Sequence, residues 1–387
     1  MVSEGRAGRI LHIVGGSRFG GGALVILQLC LAAQQEGYQT DVLTTDPTFK
    51  EVLESNSIGV VDLPVIWRSI RPVRDVVGLL RLCRWLKRNP YTIVHTHTSK
   101  GGFVGRLAAT MADSPCIVHT VHGFAFHEDS SKLTIWLVAL AERLAAHWCD
   151  RIVTVSEFHR RWALALGIAP AAKIVAIPNG IGEQILITAE RRQRLRLDLG
   201  VDRDTVLLFT AGRLAPQKGL EYLLQSLPLL SESETRHRYH LCIAGTGLLE
   251  KGLRELGRDL GISDMVSFLG FRDDVRVLDQ ASDIVVLPSL WEGLSISVLE
   301  AMAAAKPIVT TDIGSNLEVI ENGVSGIIVP RKDPAALAAA IKDLADRPAY
   351  AEQLGESAHA VFEEKYTERK MVDAYMGLYA SLVAEHK

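Results

Sequence analysis

The chain has 387 residues, of which 48% are hydrophobic and 22% charged, with a net charge of −3. That length suffices for two domains with cores of their own, and the near-neutral balance gives no global basicity for nucleic acid. Five scattered cysteines (Cys30, Cys83, Cys116, Cys149, Cys242) without a C-x-x-C pair exclude a disulfide framework or thiolate metal centre and fit reduced thiols in the cytoplasm. No apolar run reaches about 18 residues, so no spanning helix is expected. The opening MVSEGRAGR lacks the apolar stretch of a secretory leader.

Strand-like and helical runs alternate from end to end. Strands are expected at Ile10–Val14, Asp41–Thr44, Gly59–Val61, Thr92–His95, Ile117–Val121, Ile152–Val155 and Ile174–Ile177. A second set follows at Val206–Thr210, His240–Ala244, Val266–Leu269, Ile284–Leu287, Ile308–Thr310 and Gly326–Val329. One helix between successive strands implies βαβ units and parallel sheets, hence two doubly wound α/β domains. The seam lies between the turn Pro178-Asn179-Gly180 and Val206. This gives domains of roughly 1–185 and 200–365, with an amphipathic tail helix at 366–387.

The first strand runs into Gly15-Gly16-Ser17-Arg18-Phe19-Gly20-Gly21-Gly22, followed by a helix from Ala23 to Glu36. This is not G-x-G-x-x-G, and Thr44-Thr45 stands where an NAD ribose needs an acid. A loop lining an interdomain cleft is the better reading. Between Arg68 and Arg88 lie seven basic residues (Arg68, Arg71, Arg74, Arg81, Arg84, Lys87, Arg88) and one acid, Asp75, interleaved with Trp67, Leu79, Leu80, Leu82 and Trp85. A solvated helix face is the commoner origin of such a pattern; an anionic membrane surface is the other. His95 and His97 alternate near one strand end, and His119 and His122 near the next, with no third ligand spaced for zinc. His122-Gly123 falls at a carboxyl strand end, where α/β ligands bind. Leu133 to Leu144 reads as an apolar core helix.

In the second half, Gly212-Arg213-Leu214-Ala215-Pro216-Gln217-Lys218-Gly219 follows the first strand. Arg213 and Lys218 on one glycine-bounded turn suit charge-assisted hydrogen bonds to a diphosphate. Gly245 and the Gly270-Phe271-Arg272 turn offer backbone and a flat stacking surface. The segment L-P-S-L-W-E-G-L-S-I-S-V-L-E-A-M-A-A-A-K ends a strand at Pro288 and opens a helix near Ser295. Glu292 lies in the loop, and Glu300 lies in an apolar run where a carboxylate costs several kcal/mol unless hydrogen-bonded. Amides opening a helix bind anions. A phosphate-and-sugar site is the expectation.

Several of these pieces together resemble the family-4 retaining glycosyltransferases of GT-B fold, over nearly the whole chain. They are Gly21-Gly22, V-H-T-H-T-S-K-G-G at 94–102, H-T-V-H-G-F at 119–124, V-S-E at 155–157 and I-P-N-G-I at 177–181. G-R-x-x-x-x-K-G at 212–219, G-F-R-D-D at 270–274 and the E-x₇-E spacing of Glu292 and Glu300 complete the pattern. The resemblance implies two Rossmann-like domains facing a deep cleft, acceptor-binding first and sugar-nucleotide-binding second, with the C-terminal helix crossing back. It further implies His122, Arg213, Lys218 and Glu292 as catalytic residues. Gly21, Gly22, Gly245, Phe271, Arg272, Gly293, Leu294, Ser295, Ile296 and Glu300 would bind the donor, with Glu300 on the ribose. Arg81, Arg84 and Arg88 would face an acceptor or anionic membrane.

No metal or cofactor is implied, because Arg213 and Lys218 would neutralise the leaving diphosphate. The expected partners are a nucleotide-sugar, a UDP-sugar in particular, and a glycan or polyprenyl-diphosphate-linked sugar in cell-surface polysaccharide synthesis. The expected location is cytoplasmic or peripheral at the inner face of the plasma membrane. The alternatives are a GT-B enzyme of epimerase or phosphorylase type, or a sugar-nucleotide-binding module without turnover. Leu24, Gly182 and Ser315-Asn316 depart from the family pattern.

Overall fold

A computed structural model describes residues 8–15, 20–67, 71–184, 186–232 and 237–386. Two compact units divide it: Met1–Gly180 with Glu368–Lys387, and Ile181–Thr367.

The first unit carries β1 (Arg9–Gly15), α1 (Gly21–Gln35), β2 (Gln39–Thr44), α2 (Pro47–Ser55), β3 (Gly59–Val61), α3 (Pro72–Arg88) and β4 (Ile93–His97). It continues with α4 (Ser99–Met111), β5 (Cys116–Val121), α5 (Lys132–Ala146), β6 (Arg151–Thr154), α6 (Glu157–Ala165) and β7 (Ile174–Ala176). The strands form one parallel sheet in the order β3-β2-β1-β4-β5-β6-β7. Strand order reverses between β1 and β4, so the crevice beyond their carboxyl ends is the natural ligand position. The middle strands β4 and β5 are buried throughout, as parallel strands covered on both faces must be.

The second unit carries α7 (Ala189–Asp198), β8 (Thr205–Ala211), α8 (Leu220–Glu232), β9 (Arg238–Ala244), α9 (Glu250–Asp259), β10 (Val266–Gly270) and α10 (Val275–Ala281). Then come β11 (Ile284–Leu287), α11 (Ile296–Ala303), β12 (Ile308–Thr311), α12 (Gly314–Val319), β13 (Ile327–Val329), α13 (Pro334–Asp346) and α14 (Pro348–Lys365). Its parallel sheet runs β10-β9-β8-β11-β12-β13 and reverses between β8 and β11. The thirteen strands lie within two residues of the expected ones, because each is a short apolar run punctuated by Gly, Pro or Asp.

The last helix, α15 (Glu368–Glu385), belongs to the first unit. Its Met371, Tyr375, Tyr379 and Leu382 are buried at i, i+4, i+8 and i+11 spacing, a stripe that helical periodicity puts on one face.

One helix departs from expectation. The α5 segment expected to pack in the core turns its large residues outward. It rests on the core through Ala139, Ala145, Ala146 and the buried Glu142. Leu133, Trp136, Leu137, Leu140 and Leu144 are each between 47% and 65% exposed. Its small residues let α5 approach α4 closely, and the buried Glu142–Arg106 pair (2.8 Å) fixes which face turns inward.

Candidate active site

At the reversal point of the second unit, β8 ends in the turn that carries Arg213 and Lys218, and β11 ends in the loop that carries Glu292. Gly219 is left-handed (φ 58°), and a Cβ there would sit 2.2 Å from the carbonyl oxygen of Pro288. Only glycine lets the two loops touch. The Leu290 amide donates to the Gln217 carbonyl at 2.8 Å, tying them further. Gly245 closes the third side, because a Cβ there would meet the Gly212 carbonyl oxygen.

Glu292 is the hub of this junction. Lys218 Nζ lies 2.7 Å from its Oε1, with both side chains mostly buried. Gln217 Nε2 donates to Oε2 at 2.8 Å, and Ser289 Oγ donates to Oε1 at 3.1 Å. Ser315 Oγ donates to the Glu292 carbonyl at 3.3 Å. Arg213 stays toward solvent, with Nη2 3.5 Å from Gln217 Oε1. Gly293, Leu294, Ser295 and Ile296 lead into α11. Ser295 is 4% exposed, makes no capping bond, and its Oγ has no hydrogen-bond partner among the described residues. An unmatched buried hydroxyl at a helix amino end invites an anion.

Glu300 follows one turn into α11. Burial pushes its carboxyl up to about 7, against the pull of Arg276, whose Nε lies 3.9 Å away, and of Lys218. Asp279 is buried nearby and is likewise pushed up, first by burial and then by the Glu300 charge. Lys306 donates to the Ser282 carbonyl at 3.0 Å, and burial draws its amine down to about 8. A carboxyl balanced near neutrality is a common mark of a functional site.

In the first unit, His122 joins a row of buried imidazoles. His122 Nε2 lies 3.1 Å from His97 Nδ1, and His97 Nε2 lies 3.0 Å from His12 Nδ1. His95 contacts the Tyr379 hydroxyl at 2.6 Å and Thr120 Oγ1 at 2.8 Å, and Thr120 in turn meets Tyr375. Burial draws His12 down to about 3 and His122 to about 4, and draws His95, His97 and His119 well below the usual range. All five rings are therefore neutral at physiological pH.

Ring nitrogens of His12, His95 and His97 come within 4.8 Å of one another, close enough to suggest a metal. Both nitrogens of His95 already face hydroxyls, and His12 and His97 bond each other, so the donor set serves hydrogen bonds. In a neutral row each ring has one N–H, so both ring-to-ring bonds must point the same way. The nitrogens left over, His12 Nε2 and His122 Nδ1, have no partner among the described residues. A buried N–H without an acceptor is the rarer defect. Both leftover nitrogens are themselves buried, so either direction of the row strands one N–H. His122 Nδ1 lies beside Gly22, where a Cβ would come within 3.7 Å of it.

The site residues expected from the sequence fall into three sets. Lys218, Glu292, Gly293–Ile296 and Gly245 meet at the β8/β11 junction, with Arg213 at its rim and Glu300 one turn inward. Gly22 and His122 meet in the first unit, with Gly21 opening α1 next to Gly22, while Gly16, Ser17, Arg18 and Phe19 lie outside the described residues, as does Arg68. Phe271 is 69% exposed, and Arg272 is held by a bidentate pair with Asp274. Arg81, Arg84 and Arg88 are exposed on α3. Sequence reading missed Gln217, Ser289, Arg276, Asp279 and His12. Two of these carried a signal: Gln217 is inside the G-R-x-x-x-x-K-G turn, and Ser289 is inside the L-P-S-L-W-E-G segment.

Comparison with known proteins gives a consistent picture. Residues 20–180 match the Glycosyl transferase 4-like domain, and residues 191–361 match Glycosyl transferases group 1. The chain is 31% identical over 280 residues (72% of each chain) to the UDP-Gal:alpha-D-GlcNAc-diphosphoundecaprenol alpha-1,3-galactosyltransferase of Escherichia coli. It is 27% identical to the alpha-D-kanosaminyltransferase of Streptomyces kanamyceticus, over 80% of this chain and 82% of that one. The crystal structure of Anabaena Alr3699/HepE in complex with UDP and glucose superposes with a TM-score of 0.84 at 22% identity, covering 97% of this chain and 100% of that one. With both domain models matched in order and two parallel α/β units in place, the chain belongs to the family-4 type of GT-B glycosyltransferases.

Proposed function

We propose that this glycosyltransferase moves a sugar from a UDP-sugar to a glycan or polyprenyl-diphosphate-linked sugar during cell-surface polysaccharide synthesis, with retention of configuration and without a divalent metal. The observation that carries the reading is the Lys218–Glu292–Gln217 junction, with Arg213 on the same turn and the amino end of α11 beside it. The uridine assignment is supported by the donor named for the Escherichia coli relative and by the UDP bound to the Anabaena protein. The diphosphoundecaprenol in that relative's name supports a lipid-linked acceptor.

As the donor's anomeric C–O bond breaks, charge collects on the departing diphosphate. Lys218 Nζ and the Arg213 guanidinium stabilise it, the role a metal would otherwise fill. Glu292 holds Lys218 in place and accepts hydroxyls of the sugar. Glu300 grips the ribose. The acceptor hydroxyl attacks from the face the diphosphate leaves, and a diphosphate oxygen takes its proton. His122 contacts the sugar near its reacting carbon. Arg81, Arg84 and Arg88 on α3 face an anionic membrane, and the protein works at its cytoplasmic side. No helix of the described residues is long and apolar enough to cross a membrane.

A panel of sugar nucleotides, with and without EDTA, tests this. The expected result is UDP release from one UDP-sugar, stimulated by a lipid-linked sugar and unaffected by EDTA, with the product's anomeric configuration matching the donor. Activity lost in EDTA and restored by Mg²⁺ would overturn the metal-free reading, and an inverted product the retaining one. Binding without release would reduce the chain to a sugar-nucleotide-binding module.

A further inference from the structure

The imidazoles behind His122 are costly packing for the middle of a parallel sheet. His97 ends β4, His12 lies beside it on β1, and His122 follows β5 on the other side. His12 and His97 are fully buried, where a polar ring costs free energy unless it is hydrogen-bonded. Apolar side chains fill such space without that cost, as Ile10 and Ile93 do earlier on the same faces of these two strands.

His97 is the middle of the row, and its ring is held on three sides. Its Nδ1 lies 3.1 Å from His122 Nε2, and its Nε2 lies 3.0 Å from His12 Nδ1. Its ring centroid stands 4.1 Å from that of His95 and 5.3 Å from those of His12 and His122, with interplanar angles to the last two of 17° and 26°. His95 is held in turn by the Tyr379 hydroxyl at 2.6 Å and by Thr120 Oγ1 at 2.8 Å, which ties the cluster to α15. A turn of any one ring breaks its bond to the next. Burial keeps the rings uncharged, so each has one N–H to give. The role that His97 Nδ1 takes therefore decides the role of His122 Nε2, and with it whether His122 Nδ1 donates or accepts.

We infer that His97 is a positioning residue for the transfer step: it fixes the ring plane and tautomer of His122, and His12 and His95 hold it in place. The inference rests on the proposed contact of His122 with the donor sugar and extends it to the residues that aim that contact. A polar group serves the transition state best when it is aimed beforehand, because no reorientation is then needed as the bond breaks. A misplacement of about 1 Å can cost roughly 10²-fold in rate.

Amide variants separate the two contacts of His97. In His97→Asn the amide reaches the place of Nδ1, facing His122; in His97→Gln it reaches that of Nε2, facing His12. Steady-state kinetics of the full chain are measured with the UDP-sugar that the donor panel selects, alongside Tm. His97→Asn is expected to keep most of the wild-type kcat. His97→Gln is expected to lower kcat about tenfold to 10²-fold, with donor KM little changed and the two Tm values alike. In a His122→Ala background neither substitution should lower kcat further. Equal kcat losses in the two variants, or the same losses with His122 already gone, would overturn the positioning role and leave a structural one. Wild type supplies a second readout that needs no variant to fold. Ring nitrogen NMR shifts are expected to show His122 as one neutral tautomer at neutral pH, and shifts averaged over two exchanging tautomers would overturn the inference. A His122→Ala enzyme with wild-type kcat would refute the sugar contact itself, a failure distinct from loss of the His97 effect alone.

Discussion

Lys218 and Glu300 lie on the same side of the β8/β11 junction, yet they should fail in different ways when replaced. Lys218 holds Glu292 at 2.7 Å and would meet the charge that grows on the diphosphate. Losing such a contact costs about 2.7–4 kcal/mol in the transition state, roughly 10²–10³-fold in kcat. Lys218→Ala also strands Glu292, a largely buried carboxylate, without its cation. Glu300 would hold the ribose, which does not react, so Glu300→Gln should chiefly raise donor KM. Steady-state kinetics on both variants check the split. Abolished turnover at saturating donor in Glu300→Gln, with Lys218→Ala nearly intact, would refute it. The raised carboxyl of Glu300, at about 7, adds a pH signature. Below that pH it carries a proton and loses acceptor capacity for the ribose hydroxyls. Donor KM should rise as pH falls from 8 to 6 in wild type, and Glu300→Gln should flatten the profile.

At the scale of elements, α4 shows why its glycines are where they are. A Cβ on Gly102 would sit 2.2 Å from His119 Cε1, and His119 is pinned by Thr96 at 3.0 Å. Gly102→Ala should therefore overpack the α4–sheet contact and cost about 1–3 kcal/mol, read as a lower Tm or denaturant midpoint. The strands, the tail helix and the two loops after β8 and β11 were legible because each is written in contiguous residues: an apolar run, a glycine-bounded turn, a spaced pair of glutamates. The histidine row was only half legible. His95, His97 and His122 show in local motifs, but His12 is a single histidine on β1, 85 residues from His97, and only the pairing of β1 with β4 brings it in. Helix α5 misled for the opposite reason. Its composition is that of a core helix, but Ala139, Ala145 and Ala146 face inward, and periodicity alone does not say which face the sheet accepts. Asp279 and Arg276 come to Glu300 from α10 through packing of α10 against α11, which leaves no local pattern.

For the molecule as a whole, the two units hide ionisable groups of opposite kind, so acid should move their stabilities in opposite directions. Each unit buries its own core, and a chain of this kind need not unfold in one step. In the first unit His12 and His122 are lowered from 6.5 to about 3 and 4, and His95, His97 and His119 are also well lowered, all chiefly by burial. Above pH 6.5 these rings are neutral whether folded or unfolded, and their contribution is fully present. As pH falls from there, the unfolded chain takes up protons that the folded unit refuses until about pH 4. Each histidine then removes up to about 1.4 kcal/mol per pH unit. In the second unit Glu300 is raised from 4.5 to about 7, and Asp279 is raised too. Their contribution is fully present below the unfolded values and is lost as pH rises through 7. Acidification therefore favours this unit, less the opposing effect of half-buried His240, which burial lowers. Between pH 7.5 and 5 the first unit should lose stability while the second holds or gains. Hydrogen exchange by mass spectrometry, resolved into peptides of each unit and corrected for intrinsic rates, reads the two separately. The expected outcome is early opening of β1, β4 and β5 at pH 5, with protection kept in β8, β11 and β12; opening of β8 and β11 first would overturn it.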